Sequence, residues 1–189
     1  MDLWMSLMLH RRFPRLRKFR IHIIAAPALK DSIWEMPFKR NALIVCTNRC
    51  DDLVKRIPIK EKLVMNFPDV EDKHYPGAFG RAHARRIIWF LHCLPKSVTD
   101  LYICCSKGVS RSAAVAAAVL RMSGRSDKHV WCNPYYAPNI LVYYRLCREY
   151  RLFAPWWYVK CLNNRNRRAY RRTLKTHHTN GYERWQIIE

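Results

Sequence analysis

The stretch from Tyr102 to Leu120, YICCSKGVSRSAAVAAAVL, constrains the fold more than any other part of the chain. Its apolar start has the residue types of a buried strand. It then passes through Cys, Ser, Lys and Gly into Ala, Val and Leu, and neither Gly nor Pro returns until Ser123-Gly124. A strand that enters a buried helix through a short loop is half of a βα unit, and such units build parallel sheets covered by helices. Five residues, Ser106, Lys107, Gly108, Val109 and Ser110, separate Cys105 from Arg111. A loop of that length turns successive N–H groups inward as an anion-binding nest, and the helix behind it adds its positive N-terminal end. Gly108 permits a close backbone approach, and Arg111 supplies a planar fork that grips two oxygens of a phosphate. Positive surroundings favour thiolate over thiol, and Ser112 can donate a hydrogen bond to the sulfur. One stretch therefore supplies a nucleophile, a cradle for a dianion and a charge clamp.

The rest of the chain supplies elements that complete such a sheet. Phe19–Ala28 and Ala42–Thr47 have the β-branched density of strands, Lys62–Phe67 is a third, stopped by Pro68, and Asp100–Cys105 is the fourth. Between the third and fourth, Phe79, Ala82, Ile87, Phe90, Leu91 and Leu94 recur at helical spacing. Ser112–Met122 reads as a buried helix with its C-cap at Ser123-Gly124. A last core helix opens near Pro138, a residue suited to a first helical turn. Strands alternating with helices predict an α/β three-layer sandwich with a mainly parallel central sheet of about four to five strands. The expected division is a basic N-terminal extension over 1–18, a catalytic domain over 19–153 and a basic aromatic C-terminal extension over 154–189.

Charge and cysteine content narrow the partners. Thirty-five Lys and Arg against 14 Asp and Glu give a net charge of +21, which draws phosphorylated substrates, nucleic acid or acidic surfaces. From Arg151 to Tyr182 there is no acid. Lys160, Arg165, Arg167, Arg168, Arg171, Arg172 and Lys175 alternate there with Trp156, Trp157, Tyr158 and Tyr170. This reads as a basic appendage that begins as helix, recruits RNA or an acidic surface, and gains added polarity from Asn163, Asn164 and Asn166. The eight cysteines sit in a chain rich enough in core residues to need no disulfide staples, and a reducing, cytoplasmic compartment is expected. Cys46-x3-Cys50 has no matching pair at zinc spacing, and Cys46 reads as a small buried hydrophobe. The apolar run Leu3–Leu9 is too short to span a bilayer, and arginines rather than a cleavage site follow it, which argues against a signal peptide.

The strand, the C-x5-R loop with central Gly108, the Ser112 that follows Arg111 and the Ala-rich helix together resemble the signature of cysteine-dependent protein tyrosine and dual-specificity phosphatases. They are most similar to the compact predicted tyrosine phosphatases of bacteria and phages. The resemblance spans roughly Phe19 to Phe153 and includes the Pro138-Asn139 pair. It implies Cys105 as nucleophile and Arg111 as phosphate clamp. Residues 106–110 and Ser112 then become substrate-binding, and neither metal nor cofactor is required. The family also needs an Asp as general acid on an upstream loop. Among Asp69, Glu71 and Asp72, Asp69 is favoured because it follows the third strand and precedes Phe79, with Asp72 second. The family carries His immediately before its nucleophile; here that position is Cys104, and Lys107 adds positive charge within the loop.

The implied activity is hydrolysis of phosphomonoesters through a phosphocysteine, with phosphotyrosine, phosphoserine or phosphothreonine in proteins as substrate. Two other readings fit the same residues: a phosphatase acting on RNA 5′ ends or another polyanion, and a catalytically silent phosphate- or nucleic-acid-binding adaptor. Sulfur transfer or arsenate reduction also uses Cys-initiated anion loops. The Gly108/Arg111/Ser112 pattern and the upstream acid disfavour it.

Overall fold

The computed structural model describes residues 14–32, 40–47, 51–176 and 186–188. Its centre is a sheet of five strands. These are β1 (Arg20–Ala25), β2 (Asn41–Val45), β3 (Glu61–Val64), β4 (Asp100–Cys105) and β5 (Gln186–Ile188), in the order β3-β2-β4-β1-β5. β1, β2, β3 and β4 run parallel, with Ala25 opposite Cys105, while β5 is antiparallel to β1 with Ile188 opposite Ile21. β4 is paired on both sides and buried throughout, which explains its unbroken apolar run.

Helices cover both faces, so the architecture is the expected α/β sandwich. α1 (Ala26–Ser32) and α2 (Asp51–Arg56) lie on one face. α3 (Arg81–Cys93), α4 (Arg111–Met122) and α6 (Ile140–Glu149) lie on the other, with the short α5 (Lys128–Cys132) beside α4. The strand alternation sorts the core accordingly. Ile21, Ile23, Ala42, Ile44, Leu101, Ile103 and Cys105 point into the larger core with α3, α4 and α6. Ile24, Leu43, Val45, Tyr102 and Cys104 point into the smaller one with Leu29 and Val54.

α4 runs through the larger core, and its small side chains from Ala113 to Ala118 let the neighbouring helices approach closely. It stops as its sequence suggests. Gly124 turns left-handed at φ +70°, its N–H bonds the Arg121 carbonyl and the Arg125 N–H bonds the Leu120 carbonyl. α6 ends in the same arrangement, but with Arg151 at φ 60° in place of Gly, a conformation that costs an L-residue about 1 kcal/mol. Its start differs from the expected one. Pro138 precedes the helix, because the Asn139 side chain accepts the Val142 N–H at 3.1 Å and so caps the N-terminus one residue later. In α3 the buried stripe is Ala84, Ile87, Ile88 and Leu91, with Ala82 exposed.

At the end of the sheet away from the Cys105 loop, Asp100 is buried and accepts from Thr99 Oγ1 at 2.6 Å and Arg20 Nη2 at 2.8 Å. Its other oxygen lies 2.9 Å from His22 Nε2. Burial alone would raise the Asp100 carboxyl, but the bonds from Thr99, His22 and Arg20 outweigh it and hold it below the usual carboxylate range.

The last helix, α7 (Trp156–Thr176), is continuous over its whole length. Its inner face sits on the body: Val159 is fully buried, and the buried Asn166 amide donates to the Trp131 and Asn133 carbonyls at 2.7 and 3.1 Å. From the sequence these asparagines read as polarity on an appendage; in the structure the buried Asn166 fastens the helix to backbone carbonyls of the body, while Asn164 is exposed. Part of the N-terminal segment also docks, with Leu16 buried and Arg15 donating to the Ser123 and Gly124 carbonyls. His177-His178 and residues 1–13 lie outside the described residues.

Candidate active site

β4 delivers Cys105 to the N-terminal end of α4, where its Sγ lies 3.1 Å from Ser112 Oγ. The loop between them is fixed on both flanks. On one side Gly108, at φ +68°, lies so close to β1 that a Cβ would meet Ala25 N at 2.9 Å and the Ile24 carbonyl carbon at 3.1 Å. Conformation and space both demand glycine here. On the other side the Val109 carbonyl accepts from Ala137 N at 3.0 Å and the Ser110 carbonyl from Asn139 N at 3.3 Å.

Arg111, first residue of α4, is buried and points back across the loop. Nη1 donates to the Phe67 carbonyl at 2.8 Å and Nη2 to Ser106 Oγ at 2.7 Å, which itself lies 3.0 Å from Thr47 Oγ1. Nε is buried without a hydrogen-bond partner. A guanidinium has five donors, and these two bonds hold its plane while leaving others for an anion.

Asp69 comes two residues after Phe67 and reaches the same place. Its Oδ1 accepts from Ser110 Oγ and from Asn139 Nδ2, both at 2.8 Å, and its Oδ2 lies 4.0 Å from Arg111 Nε. Cys105, Arg111 and Asp69 line one cleft of about 570 Å³, together with Ser106, Lys107, Val109 and Ser110. Gly108 lies outside that lining, against β1. Asp72 is not in the lining either; it is exposed, and its carboxylate accepts the His74 N–H at 2.9 Å.

Cys104 faces away from this cleft, fully buried in the smaller core, so the two neighbouring thiols occupy opposite sides of the sheet. All seven described cysteines are free, and Cys46 is fully buried.

Several participants were missed in the sequence. Asn139 both caps α6 and holds Asp69; the Pro-Asn pair before a helix signals the first role but not the second. Glu71 ion-pairs with Arg167 of α7, and Arg167 and Arg171 line the cleft. With its amide oriented so that the oxygen faces the Arg167 donor, Asn163 accepts from Arg167 Nε at 3.0 Å and donates to the Pro138 carbonyl at 3.3 Å, fixing that side of α7 beside the cleft. Glu71 and Arg167 are 96 positions apart, and no local pattern connects them.

No family model matches the chain, and no curated protein does either. Among solved structures, a crystal structure of Tk-PTP in the active form aligns with 82% of this chain and 98% of its own, at 15% identity and a TM-score of 0.42.

Proposed function

We propose that the chain is a cysteine-dependent phosphatase that hydrolyses phosphomonoesters, of the protein tyrosine or dual-specificity type. The observation that carries this reading is the meeting of Cys105, Arg111 and Asp69 in one cleft at the N-terminus of α4, with Ser112 Oγ 3.1 Å from the thiol sulfur. In the first step the Cys105 thiolate attacks phosphorus and the P–O bond to the leaving group breaks. The departing oxygen takes a proton from Asp69. In the second, water attacks the phosphocysteine and gives a proton to Asp69. The P–S bond breaks, and inorganic phosphate and the Cys105 thiolate are released. Arg111 and the loop amides hold the equatorial oxygens through both steps, and Ser112 donates to the sulfur as it leaves.

Phosphorylated protein is the proposed substrate. The exposed Lys160, Arg165, Arg168, Arg171 and Arg172 of α7 add binding to RNA or an acidic surface. No helix among the described residues is long and apolar enough to cross a membrane. The test is hydrolysis of p-nitrophenyl phosphate followed by rapid acid quench and peptide mass spectrometry. The expected result is turnover with a phosphate adduct on the Cys105 peptide. An adduct elsewhere, or phosphate binding without turnover, refutes the proposal and leaves a phosphate reader.

A further inference from the structure

The cleft holds more positive charge than one phosphate needs. Four cations line it, Lys107, Arg111, Arg167 and Arg171, against the carboxylates of Asp69 and Glu71. Arg111 is committed beside Cys105, and Arg167 is paired with Glu71. Lys107 and Arg171 are exposed, and neither makes a hydrogen bond or ion pair among the described residues.

Arg171 is presented, not merely present. It lies four residues after Arg167 on the same face of α7, and the bonds of Arg167 to Glu71 and Asn163 turn that face toward the cleft. Val109 and Ala137 stand beside Cys105, and among the described residues that line the cleft none is aromatic. An aryl group gains most from packing against ring faces, whereas phosphate oxygens gain from charged N–H donors.

We propose that Lys107 and Arg171 form a second phosphate subsite in this cleft, which selects phosphorylated substrates that carry another phosphate close to the one removed. The inference rests on Cys105 being the reacting thiol. The phosphate to be removed sits over Cys105 and Arg111, and the second one selects the substrate without entering the chemistry.

The test is calorimetric titration of the Cys105→Ser protein with adenosine 5′-phosphate and adenosine 3′,5′-bisphosphate. The bisphosphate should bind about tenfold more tightly, the worth of one charge-assisted phosphate contact. Arg171→Glu on this background should bring the two affinities together, and Arg171→Lys should keep part of the preference. Arg168→Glu makes the same charge change at an exposed position outside the cleft and should preserve the ratio. Equal affinities in the Cys105→Ser protein overturn the subsite, as does an Arg168→Glu effect equal to that of Arg171→Glu, which would leave only the general field of the chain. Aryl phosphate turnover by the Cys105-intact protein is measured in parallel: its absence refutes the phosphatase reading, while the affinity ratio still decides the subsite.

Discussion

The two faces of the sheet use the same residue type for opposite ends. Cys104 and Cys105 are consecutive on β4, yet the pleat sends one into the small core under Leu43 and Val45 and the other to the cleft at the N-terminal end of α4. On the small face a cysteine is a compact hydrophobe. On the large face it lies 3.1 Å from Ser112 Oγ and lines a cleft with Arg111, where the proposed mechanism needs a nucleophile. Cys147 makes the same point from α6: it is buried within the large core, and burial pushes its thiol up to about 12, where it stays protonated and inert. In the proposed mechanism, place rather than residue type decides which thiol reacts.

The largest test of that contrast is to change each thiol in turn. Cys105→Ser should lower kcat for p-nitrophenyl phosphate by about 10⁴-fold or more, since it removes the attacking group itself. Cys104→Ser should retain most of the turnover but lower stability by about 1–3 kcal/mol, because a hydroxyl is placed among apolar neighbours. Urea unfolding and steady-state rates on both variants decide it. If Cys104→Ser is the inactive one, the two faces have been assigned the wrong way round.

Asp69 sharpens the comparison at the next level. Asp69→Asn should slow phenyl phosphate hydrolysis by about 10²-fold and p-nitrophenyl phosphate much less, since only the poorer leaving group needs the proton. Equal losses on both substrates would reduce Asp69 to a structural bracket for Ser110 and Asn139.

The smallest effect is expected at the far end of the sheet, where a buried carboxylate has no chemistry to do. Asp100 has its pKa depressed in the folded state, so its contribution to stability is present above the unfolded carboxylate pKa and is lost as pH falls through the folded value. Asp100→Asn should therefore cost about 1–3 kcal/mol near neutral pH, and the loss should shrink in acid. Thermal melts at several pH values, with rates at neutral pH unchanged, would show it; a deficit that does not vary with pH would show that packing rather than charge is at stake.

What was legible in the sequence was whatever is decided locally. The four parallel strands show in their β-branched runs, the Cys105–Arg111 loop in its spacing, and the end of α4 in Ser123-Gly124. Boundaries set by one side chain were less so: Asn139 moves the start of α6 past Pro138 because its carboxamide replaces a missing intrahelical partner. Contacts closing long loops were not legible at all. The Asn139–Asp69 bond spans 70 positions and the Glu71–Arg167 pair 96, and neither end carries a mark of its partner. β5 likewise is three residues whose pairing depends on an edge supplied more than 160 positions earlier.

That short strand bears on how α7 can be studied. Ile21, His22 and Ile23 of β1 are opposite Ile188, Ile187 and Gln186, so β5 shields an edge whose N–H and C=O row would otherwise be a template for pairing with another copy. A protein cut after Phe153 loses the arginines of α7, the buried Val159 and this cover together. Its first expected symptom is self-association that grows with concentration, measured as light scattering, and this would mask any change in affinity for RNA. Reversing charges along the outer face of α7 leaves the edge closed, and with it the protein monodisperse enough for the affinity to be read.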